Sequence, residues 1–465
     1  MEQRTLSLTA LAAAVRDGRT SSEEATSEAL SLARRVHART NAVITFHEEA
    51  ALAAARAADA SLAAGRVFGA LHGVPLAHKD MFDRVGLIPS WGAKIRRDQP
   101  SSRDATVIAR LQAAGSHQIA ALHLTEFAFG PTGHNYVLGH ARNPWNTDHI
   151  TGGSSSGSAI AVATGVVSAA LGSDTAGSLR LPAAACGITS LKPTWSRVSR
   201  AGAMPLSASL DCVGPLARHV GDLAVMLGII AGADGRDGTA SRRSVADYSR
   251  HLAQPINGLR IGIDETLVAM ADATVQARFE TALAILVKAG AKRIPVKFPD
   301  WGMLDRLTQL LQLPEVASAH GRHLRRRGGD FGPQVRARTE FGHFVSGADH
   351  QTALRARGMM LARTLAETYG QCDVTMLPTF ADPLPTIATL DVTGGPQLQA
   401  AMGRVVLYCR PVNYLGLPAL TLPYPSDGSL PNGFQLIGRP FAEARLLQLG
   451  TAYQRDVPSQ LAPLD

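Results

Sequence analysis

The sequence predicts an α/β fold built from alternating strands and helices. Two short apolar segments, 72–79 and 169–173, each run into polar residues, which is typical of buried strands that end at a functional site. Other segments, such as 106–114 and 159–167, have the length and apolar content of helices. Alternation of the two element types favours helices packed in layers against a sheet.

The first 65 residues are expected to form a helical segment packed on the rest of the chain. Ser21 and Glu24 have the spacing of a capping box, in which the serine caps a helix and the glutamate three residues later bonds back to it. The alanine-rich stretch 49–64 suits close packing of a second helix.

Further elements follow from the same patterns. The helix over 106–114 is expected to end at Gly115, and the next strand to cover 118–124. A helix is expected to begin near Ser158, directly after a serine-rich loop. Downstream, 259–263 indicates a strand, and the helix after it ends before Gly290 and has an apolar face formed by Val275, Phe279, Leu283 and Leu286.

Composition bounds the class of protein. The chain has 465 residues, of which 45% are hydrophobic, so a large core is expected. The four cysteines show no C-x-x-C spacing and are expected to be reduced, buried thiols. No apolar stretch has the length of a membrane span and the N-terminus lacks the pattern of a signal peptide, so a cytoplasmic location is expected.

The sequence contains no motif for a metal, a nucleotide or another cofactor. HExxH, EF-hand, P-loop and dinucleotide-binding patterns are all missing from the 465 residues. We therefore expect no cofactor and no metal.

The charge balance leaves two interpretations open. Lysine and arginine exceed aspartate and glutamate by 46 to 38, a net charge of +8. This balance fits a basic surface on a soluble enzyme, or an anionic substrate or RNA partner. The densest positive run, Arg322–Arg327, is either a solvated helix end or a contact for carboxylates or RNA.

Three motifs carry the chemistry. Lys79 ends the apolar segment 72–79, and two glycine- and serine-rich segments follow at 152–158 and 172–183. Serine hydroxyls, a lysine and closely spaced backbone N–H groups can provide a nucleophile, a base and donors for an oxyanion. An exposed lysine titrates near about 10.4, and burial among apolar neighbours lowers that value toward neutrality.

These motifs resemble those of the amidase signature family. The lysine, a GGSS-x-G-S segment and a D-T-x-G-S-x-R-x-P-A segment occur in that order, and Ser154 and Ser178 are 24 residues apart. The resemblance covers about residues 5–455. Flanking segments that also match are 142–145, 187–194, 209–218, 416–419 and 433–439.

The resemblance implies a fold and a domain organisation. It indicates an amidase signature α/β domain over 66–460, with a central mixed β-sheet covered by helices on both faces. The helical segment 1–65 packs on it, so that the whole chain forms one compact domain. The segment 220–375 matches less closely and is expected to determine substrate selectivity.

The resemblance also implies catalytic roles. Ser178 is the nucleophile, Lys79 the base, and Ser154 the relay between them, with a cis peptide bond between Gly153 and Ser154. The oxyanion is expected to lie on the backbone N–H groups of Thr175, Ala176, Gly177 and Ser178, where small residues let the chain wrap closely. Asp174 and Arg180 are expected to brace this loop.

Substrate contacts are expected from residues around these motifs. Trp91 is expected to narrow the acyl pocket, to stack on a planar substrate, or to fill the core. Phe127 and His134 lie in a segment that borders the site in relatives, His134 as a hydrogen-bonding wall. Gly153 and Ser155 complete the expected substrate-binding set.

The sequence thus predicts an amidase that hydrolyses a small-molecule carboxylic amide, or an amide-like C–N bond, to an acid and ammonia or an amine through a seryl acyl-enzyme. Its partners are expected to be the small-molecule substrate and a second copy in a homodimer, with no membrane and no nucleic acid.

Two alternatives stay open. One is the glutaminase subunit of a tRNA-dependent amidotransferase, which shares these motifs and passes ammonia to a partner. Glu315, His320 and the segment 130–135 favour the standalone branch over it. The other is a catalytically silent assembly subunit, which the presence of Lys79, Ser154 and Ser178 disfavours.

Overall fold

The computed structural model describes residues 3–464 of the chain. Within them the strands are β1 (Val43–Phe46), β2 (Pro75–Lys79), β3 (His117–Leu122), β4 (Ala169–Asp174), β5 (Thr189–Lys192), β6 (Cys212–Ala217), β7 (Arg260–Ile263), β8 (Lys292–Pro295), β9 (Val374–Pro378), β10 (Ala419–Pro423) and β11 (Gly433–Gly438).

The helices alternate with these strands along much of the chain. They are α1 (Leu8–Arg16), α2 (Ser22–Thr40), α3 (Glu48–Ala63), α4 (Thr106–Ala113), α5 (Ser156–Ala163), α6 (Arg180–Cys186), α7 (Val220–Ile230), α8 (Glu265–Val268), α9 (Ala273–Lys288), α10 (Trp301–Arg327), α11 (Pro333–Phe341), α12 (Gly347–Glu367), α13 (Gly395–Val405), α14 (Arg410–Tyr414) and α15 (Glu443–Asp456). Short 3-10 turns occur at Gln3–Thr5, Glu126–Ala128, Gly328–Asp330, Gly342–Phe344 and Ala388–Leu390.

The strands form two sheets. A three-stranded sheet has the order β1-β3-β2, with β2 and β3 parallel. An eight-stranded sheet has the order β4-β6-β5-β10-β11-β9-β7-β8, in which β7 pairs in parallel with β8 and β9 and the other pairs are antiparallel. Helices such as α6, α7 and α15 pack on the larger sheet. The predicted α/β fold with a central mixed sheet is confirmed.

Most local predictions in the first half of the chain are also confirmed. Ser21 caps α2 through its side chain, and Glu24 completes the capping box. Gly115 follows α4 with a φ of 97°, a conformation that favours glycine. The helix after the serine-rich loop begins at Ser156, two residues before the expected position.

One strand interrupts the N-terminal segment that the sequence predicts to be helical. β1 pairs antiparallel with β3 and lies between α2 and α3. The segment Val43–Phe46 is too short to show an alternating apolar pattern. It forms a strand by pairing with β3 at the edge of the three-stranded sheet. Residues 1 and 2, which belong to the expected N-terminal segment, and residue 465 lie outside the described part of the chain.

The segment 220–375 contributes to the same large sheet as the motif segments. It supplies β7, β8 and the first two residues of β9, and the helix α9 buries Val275, Phe279, Leu283 and Leu286 as expected. The division of the chain into domain and selectivity region stays a prediction.

Two further features bear on the composition. All four cysteines are buried and unpaired. Within residues 3–464, none of the helices combines the length and the apolar character needed to cross a membrane.

Candidate active site

Lys79 is the last residue of β2, and its side chain points into a cluster of serine hydroxyls. Its Nζ donates to Oγ of Ser154 at 2.7 Å, of Ser173 at 2.9 Å and of Ser155 at 3.2 Å. The residue is 1% exposed. Strand β2 therefore holds the amine in a buried, hydroxyl-lined position.

The surroundings of Lys79 favour its neutral form. Burial lowers the pKa of Lys79 to about 7, and the negative charges of Asp174 and Asp211 oppose that change. Because the three contacts are hydroxyls and not carboxylates, each can act as a donor or an acceptor as the amine gains or loses its proton. A substantial fraction of Lys79 is therefore an uncharged amine at neutral pH.

Ser154 lies in the loop before α5, and its backbone is fixed on both sides. The Gly153–Ser154 peptide bond is cis. The Ser154 carbonyl accepts from the Thr125 N–H at 3.2 Å, and the Gly153 N–H donates to the Pro131 carbonyl at 2.7 Å. A Cβ on Gly153 would lie 2.6 Å from the Gly130 carbonyl oxygen, so only glycine fits there.

Ser178 lies between β4 and α6, with 7% of its surface exposed. Its carbonyl accepts from the Ser155 N–H at 3.3 Å, which ties the two serine-rich loops together. Its Oγ has no hydrogen-bond partner in residues 3–464, whereas the hydroxyl of Ser154 is bonded to the lysine. The loop thus presents the Ser178 hydroxyl beside the Lys79–Ser154 pair without locking it.

The backbone after β4 supplies hydrogen-bond donors around Ser178. The N–H groups of Thr175, Ala176 and Ser178 have no acceptor among the described residues. The Gly177 N–H instead donates to Asp174 Oδ1 at 2.8 Å. The expectation that Gly177 joins the oxyanion donors does not fit this geometry, because the Asp174 carboxylate takes its hydrogen.

Asp174 and Arg180 form a buried, bidentate ion pair behind this loop. Arg180 Nε and Nη2 donate to Asp174 Oδ2 and Oδ1, each at 3.1 Å, and both side chains are 0% exposed. Burial raises the pKa of Asp174, but the Arg180 charge and its hydrogen bonds outweigh that effect and hold the pKa well below its usual range. Asn413 donates to the same carboxylate at 2.9 Å. The pair therefore links Arg180 to the backbone of this loop, because Asp174 also accepts from the Gly177 and Leu179 N–H groups.

A second side-chain contact holds the loop, and it comes from Asp211, the residue before β6. Thr175 Oγ1 donates to Asp211 Oδ1 at 2.6 Å, and Asp211 also accepts from the Leu206 and Ser207 N–H groups. Next to it lies a cavity of about 270 Å³ that is lined by Ser173 and Thr175. The remaining lining is largely apolar at Met81 and along the stretch 201–213, and charged at Arg200, Arg236 and Asp237.

Ser155 and Ser173 have roles that differ from those the sequence predicts. Ser155 is expected to touch substrate, but it is 0% exposed and its Oγ bonds Lys79 and the Ser173 backbone. The sequence predicts Ser173 only as part of a strand, yet it is the third hydroxyl on the lysine. Both residues orient Lys79, because a buried lysine needs an oxygen partner for each hydrogen.

Trp91 and Phe127 lie together in an aromatic cluster. Their ring centroids are 6.4 Å apart, and Phe127 also lies 4.5 Å from His320 and 5.1 Å from Phe331. Trp91 and Phe127 have φ values of 57° and 48°, which are uncommon outside glycine. Both residues are buried, so neither ring presents an open stacking surface, and their expected contact with substrate stays a prediction.

His134 makes hydrogen bonds through both ring nitrogens, and its expected role as a wall of the site stays a prediction. Its Nε2 donates to the Ile387 carbonyl at 3.0 Å, and its Nδ1 lies 2.8 Å from Thr132 Oγ1. Burial lowers its pKa to about 4, and the His140 charge adds to this. Donor atoms of His134, His140 and Asp391 lie within 4.8 Å of one another, but both nitrogens of His134 are already engaged.

Two charged residues near the site carry no signal in the sequence. Glu126 is 1% exposed, accepts from the Gly332 N–H at 2.9 Å through Oε2, and has a buried Oε1 without a partner. Burial raises the pKa of Glu126 to about 7. Arg338 is buried, its guanidinium lies 3.7 Å from the Phe129 ring centroid, and it donates to the Phe129 carbonyl at 2.9 Å.

No carboxylate in the described chain pairs with Arg338. Burial and the charge of Arg410 lower its pKa to about 9, so it stays cationic at neutral pH. Glu126 and Arg338 come close to each other's segments only in the folded chain, where α11 packs against the 126–129 turn. Their sequence neighbourhoods contain no motif that would single them out.

Similarity to known proteins extends over most of the chain. The Amidase family model matches residues 24–447. The chain therefore belongs to the Amidase family and is an amide-hydrolysing enzyme.

Individual relatives cover almost the whole chain. A glutamyl-tRNA(Gln) amidotransferase subunit of Halorhodospira halophila is 36% identical over 98% of this chain and 97% of its own length. One similar solved structure comes from a vestigial protein complex that reveals the evolutionary origins of an s-triazine catabolic enzyme. It superposes with a TM-score of 0.91, and it is 32% identical over 98% of this chain and 100% of its own. Peptide amidase from Stenotrophomonas maltophilia superposes with a TM-score of 0.84, at 28% identity over 99% of each chain.

These relatives bear on the branch of the family. The sequence favours a standalone amidase on the basis of Glu315, His320 and the segment 130–135. The relative from Halorhodospira halophila is instead a subunit of an amidotransferase, so the standalone branch is not favoured. In the structure Glu315 bonds Ser207 and Ser209, and His320 donates to the Pro205 carbonyl, so both are packing contacts of α10.

Proposed function

We propose that this chain releases ammonia from a carboxamide through an acyl-enzyme on Ser178, as the amidase subunit of an amidotransferase. The observation that carries the chemistry is the buried contact of 2.7 Å between Lys79 Nζ and Ser154 Oγ beside Ser178. A lysine with a pKa of about 7 can act as a base at neutral pH.

The reaction begins with attack of Ser178 Oγ on the amide carbonyl carbon. The Ser178 proton passes to Ser154 Oγ while the Ser154 proton passes to the neutral Lys79 amine. The oxyanion accepts hydrogen bonds from the free N–H groups of Thr175, Ala176 and the nucleophile. As the C–N bond breaks, the proton returns from Lys79 through Ser154 to the leaving nitrogen.

Deacylation repeats these steps with water. Water takes the place of the departed amine and gives a proton to the same relay as it attacks the ester carbonyl. The ester bond breaks, Ser178 regains its proton and the acid leaves. The Asp174–Arg180 pair keeps the loop rigid through both halves, because its hydrogen bonds hold the Gly177 and Leu179 backbone.

Two unpaired polar groups support an amino-acid amide as substrate. The Arg338 guanidinium lacks a carboxylate partner within residues 3–464, and Glu126 Oε1 lacks any partner. Glutamine carries a carboxylate and an ammonium group next to each other, which would complement the two. A ligand carboxylate would supply the charged partner that the buried Arg338 lacks, and a ligand N–H group would supply the donor that Glu126 Oε1 lacks.

The proposed membership of a larger complex rests on relatives. The amidotransferase subunit of Halorhodospira halophila is similar over nearly the full length of both chains. A subunit of this kind works in a complex and hands ammonia to a partner. This proposal replaces the expected homodimer with association to other subunits.

The test is release of ammonia and acid by the purified chain, alone and after co-expression with the neighbouring genes of its operon. The substrates are L-glutamine, aliphatic and aryl amides, biuret and hydrazides, with Ser178→Ala as the control. Turnover of glutamine that rises with co-purified subunits supports the proposal. Glutamine inert in both preparations contradicts it.

A second candidate is a standalone hydrolase of a small amide. The likeness to peptide amidase, at a TM-score of 0.84, favours it. The same panel separates the two, because a standalone enzyme turns over a non-glutamine amide without other subunits. An Arg338→Gln variant sharpens the distinction, since it raises KM for glutamine but not for an uncharged amide.

A further inference from the structure

An open cavity of about 590 Å³ has four arginines and a histidine among its lining residues. It is formed by the loop 96–103 together with Arg236 and His323, and is called the arginine basin below. Its cations are Arg96, Arg97, Arg103 and Arg236, and its carboxylates are Asp83 and Asp98. None of these residues is part of the lysine–serine cluster, but Arg236 also lines the cavity of about 270 Å³ beside Thr175.

Most arginines at this basin lack an acidic partner. Arg97 pairs with Asp83, so that these two charges cancel. Arg96 and Arg103 form no ion pair in the part of the chain that the structure describes. Within residues 3–464, the Arg236 guanidinium donates to the Asp104 carbonyl and to Thr106 Oγ1, neither of which is charged.

The C-terminal end of α10 extends this positive surface. His323 lines the basin, and its pKa is lowered by partial burial and then by the charges of Arg322, Arg327 and Arg326. Arg327 is paired with Asp330, whereas Arg322 and Arg326 have no ion pair among residues 3–464. The arginine-rich run noted in the sequence therefore contributes its charge to the edge of a cavity.

We propose that the arginine basin binds a ligand that carries two or more phosphate groups. Arginine presents a planar set of N–H donors that matches phosphate oxygens in pairs, and its charge does not depend on pH. The volume is in the range of ligand sites, and the free charges outnumber the one unpaired lining carboxylate, Asp98. The phosphates can belong to a small polyphosphate or to an RNA backbone, and this inference does not depend on the proposed function.

The experiment measures binding of inorganic tripolyphosphate and of a fluorescent single-stranded U20 RNA to the full chain in 0.1 M NaCl. The basin variant is Arg96→Gln/Arg103→Gln. The matched control is Arg35→Gln/Arg39→Gln, which removes the same charge from two exposed arginines of α2 that have no ion pair within the described chain. Thermal unfolding of each variant verifies that it is folded.

We expect the basin variant to bind tripolyphosphate at least about tenfold more weakly than wild type, and the control to bind within about twofold. If RNA is the source of the phosphates, U20 binds in competition with tripolyphosphate. The slope of its log affinity against log salt then falls by about 1.4 in the basin variant, since each lost single-strand phosphate contact is worth about 0.7. Tripolyphosphate binding without RNA binding supports a small polyphosphate.

Two results would overturn the inference. One is that neither probe binds wild type in 0.1 M NaCl. The other is that the basin and control variants weaken binding equally, which would show attraction to net charge and not to this site.

Discussion

Replacement of Lys79 by methionine should stabilise the protein at low pH relative to wild type and lose that advantage as the pH rises. The folded-state pKa of about 7 lies below the ordinary value of 10.5, so the cost of burying the charged lysine is fully present below pH 7 and vanishes above pH 10.5. At about 1.4 kcal/mol for each tenfold change in proton affinity, this cost is about 4.5 kcal/mol at pH 6 and about 1.5 kcal/mol at pH 9.5.

The two values predict that the free energy of unfolding of wild type rises by about 3 kcal/mol relative to Lys79→Met between pH 6 and pH 9.5. Hydrogen bonds lost to Ser154, Ser155 and Ser173 affect the variant at both pH values and largely cancel in this difference. Urea unfolding followed by circular dichroism at the two pH values measures it.

The matched control is Lys288→Met on the exposed end of α9. That lysine carries no burial cost, so its variant and wild type should differ by the same amount, within about 0.5 kcal/mol, at both pH values. If the difference in free energy of unfolding between wild type and Lys79→Met is also the same at both pH values, burial does not destabilise the charged form of Lys79. The argument that burial makes it a base at neutral pH would then fail.

Four further outcomes follow from the same geometry. Ser178→Ala should lower the rate of amide hydrolysis at least about 10³-fold with an unchanged Tm, because the nucleophile is lost and the packing is kept. Retained turnover would show that Ser178 is not the nucleophile. The wild-type acylation rate, measured by stopped flow, should be about tenfold lower at pH 6 than at pH 8. A base with a pKa of about 7 is about 10% neutral at pH 6 and about 90% neutral at pH 8. An acylation rate that does not change between these pH values would contradict this. Arg180→Met should lower the free energy of unfolding by about 3–5 kcal/mol through the unpaired Asp174 charge, and Asp174→Asn added to it should restore part of the loss in urea titrations. Incubation with EDTA should leave the rate unchanged, and an inactivation that zinc reverses would contradict metal-free chemistry.

The fold class and the three central side chains could be predicted because their signals are local. A capping box at Ser21 and Glu24, and glycines where φ is positive, act within a few residues of the chain. The ordered motifs around Lys79, Ser154 and Ser178 likewise stand in continuous segments. Their expected proximity depended on the family resemblance, and the structure places Lys79 and Ser154 in hydrogen-bond contact.

What could not be predicted depends on contacts between distant segments. β1 is a strand only because β3 offers it an edge. The Gly177 N–H is taken by Asp174 through a local turn that sequence alone does not fix, and Ser155 turns toward Lys79 because a buried amine needs several oxygens. Arg338 approaches the 126–129 turn from a helix about 200 residues later in the chain.

The branch of the family was also beyond the sequence patterns. Glu315 and His320 suggested a standalone amidase, but in the structure they fasten α10 to the 205–209 loop. Such packing residues say little about whether an enzyme works alone. Full-length similarity to an amidotransferase subunit is the stronger guide.

The most direct test of the central claim is to map the residue that a fluorophosphonate modifies, and to measure the rate, in wild type and in Ser154→Ala. Peptide mass spectrometry after reaction at pH 8 should find the adduct on Ser178, and Ser154→Ala should react orders of magnitude more slowly because its relay to Lys79 is broken. An adduct on another residue, or equal rates in the two proteins, would contradict the lysine–serine–serine mechanism.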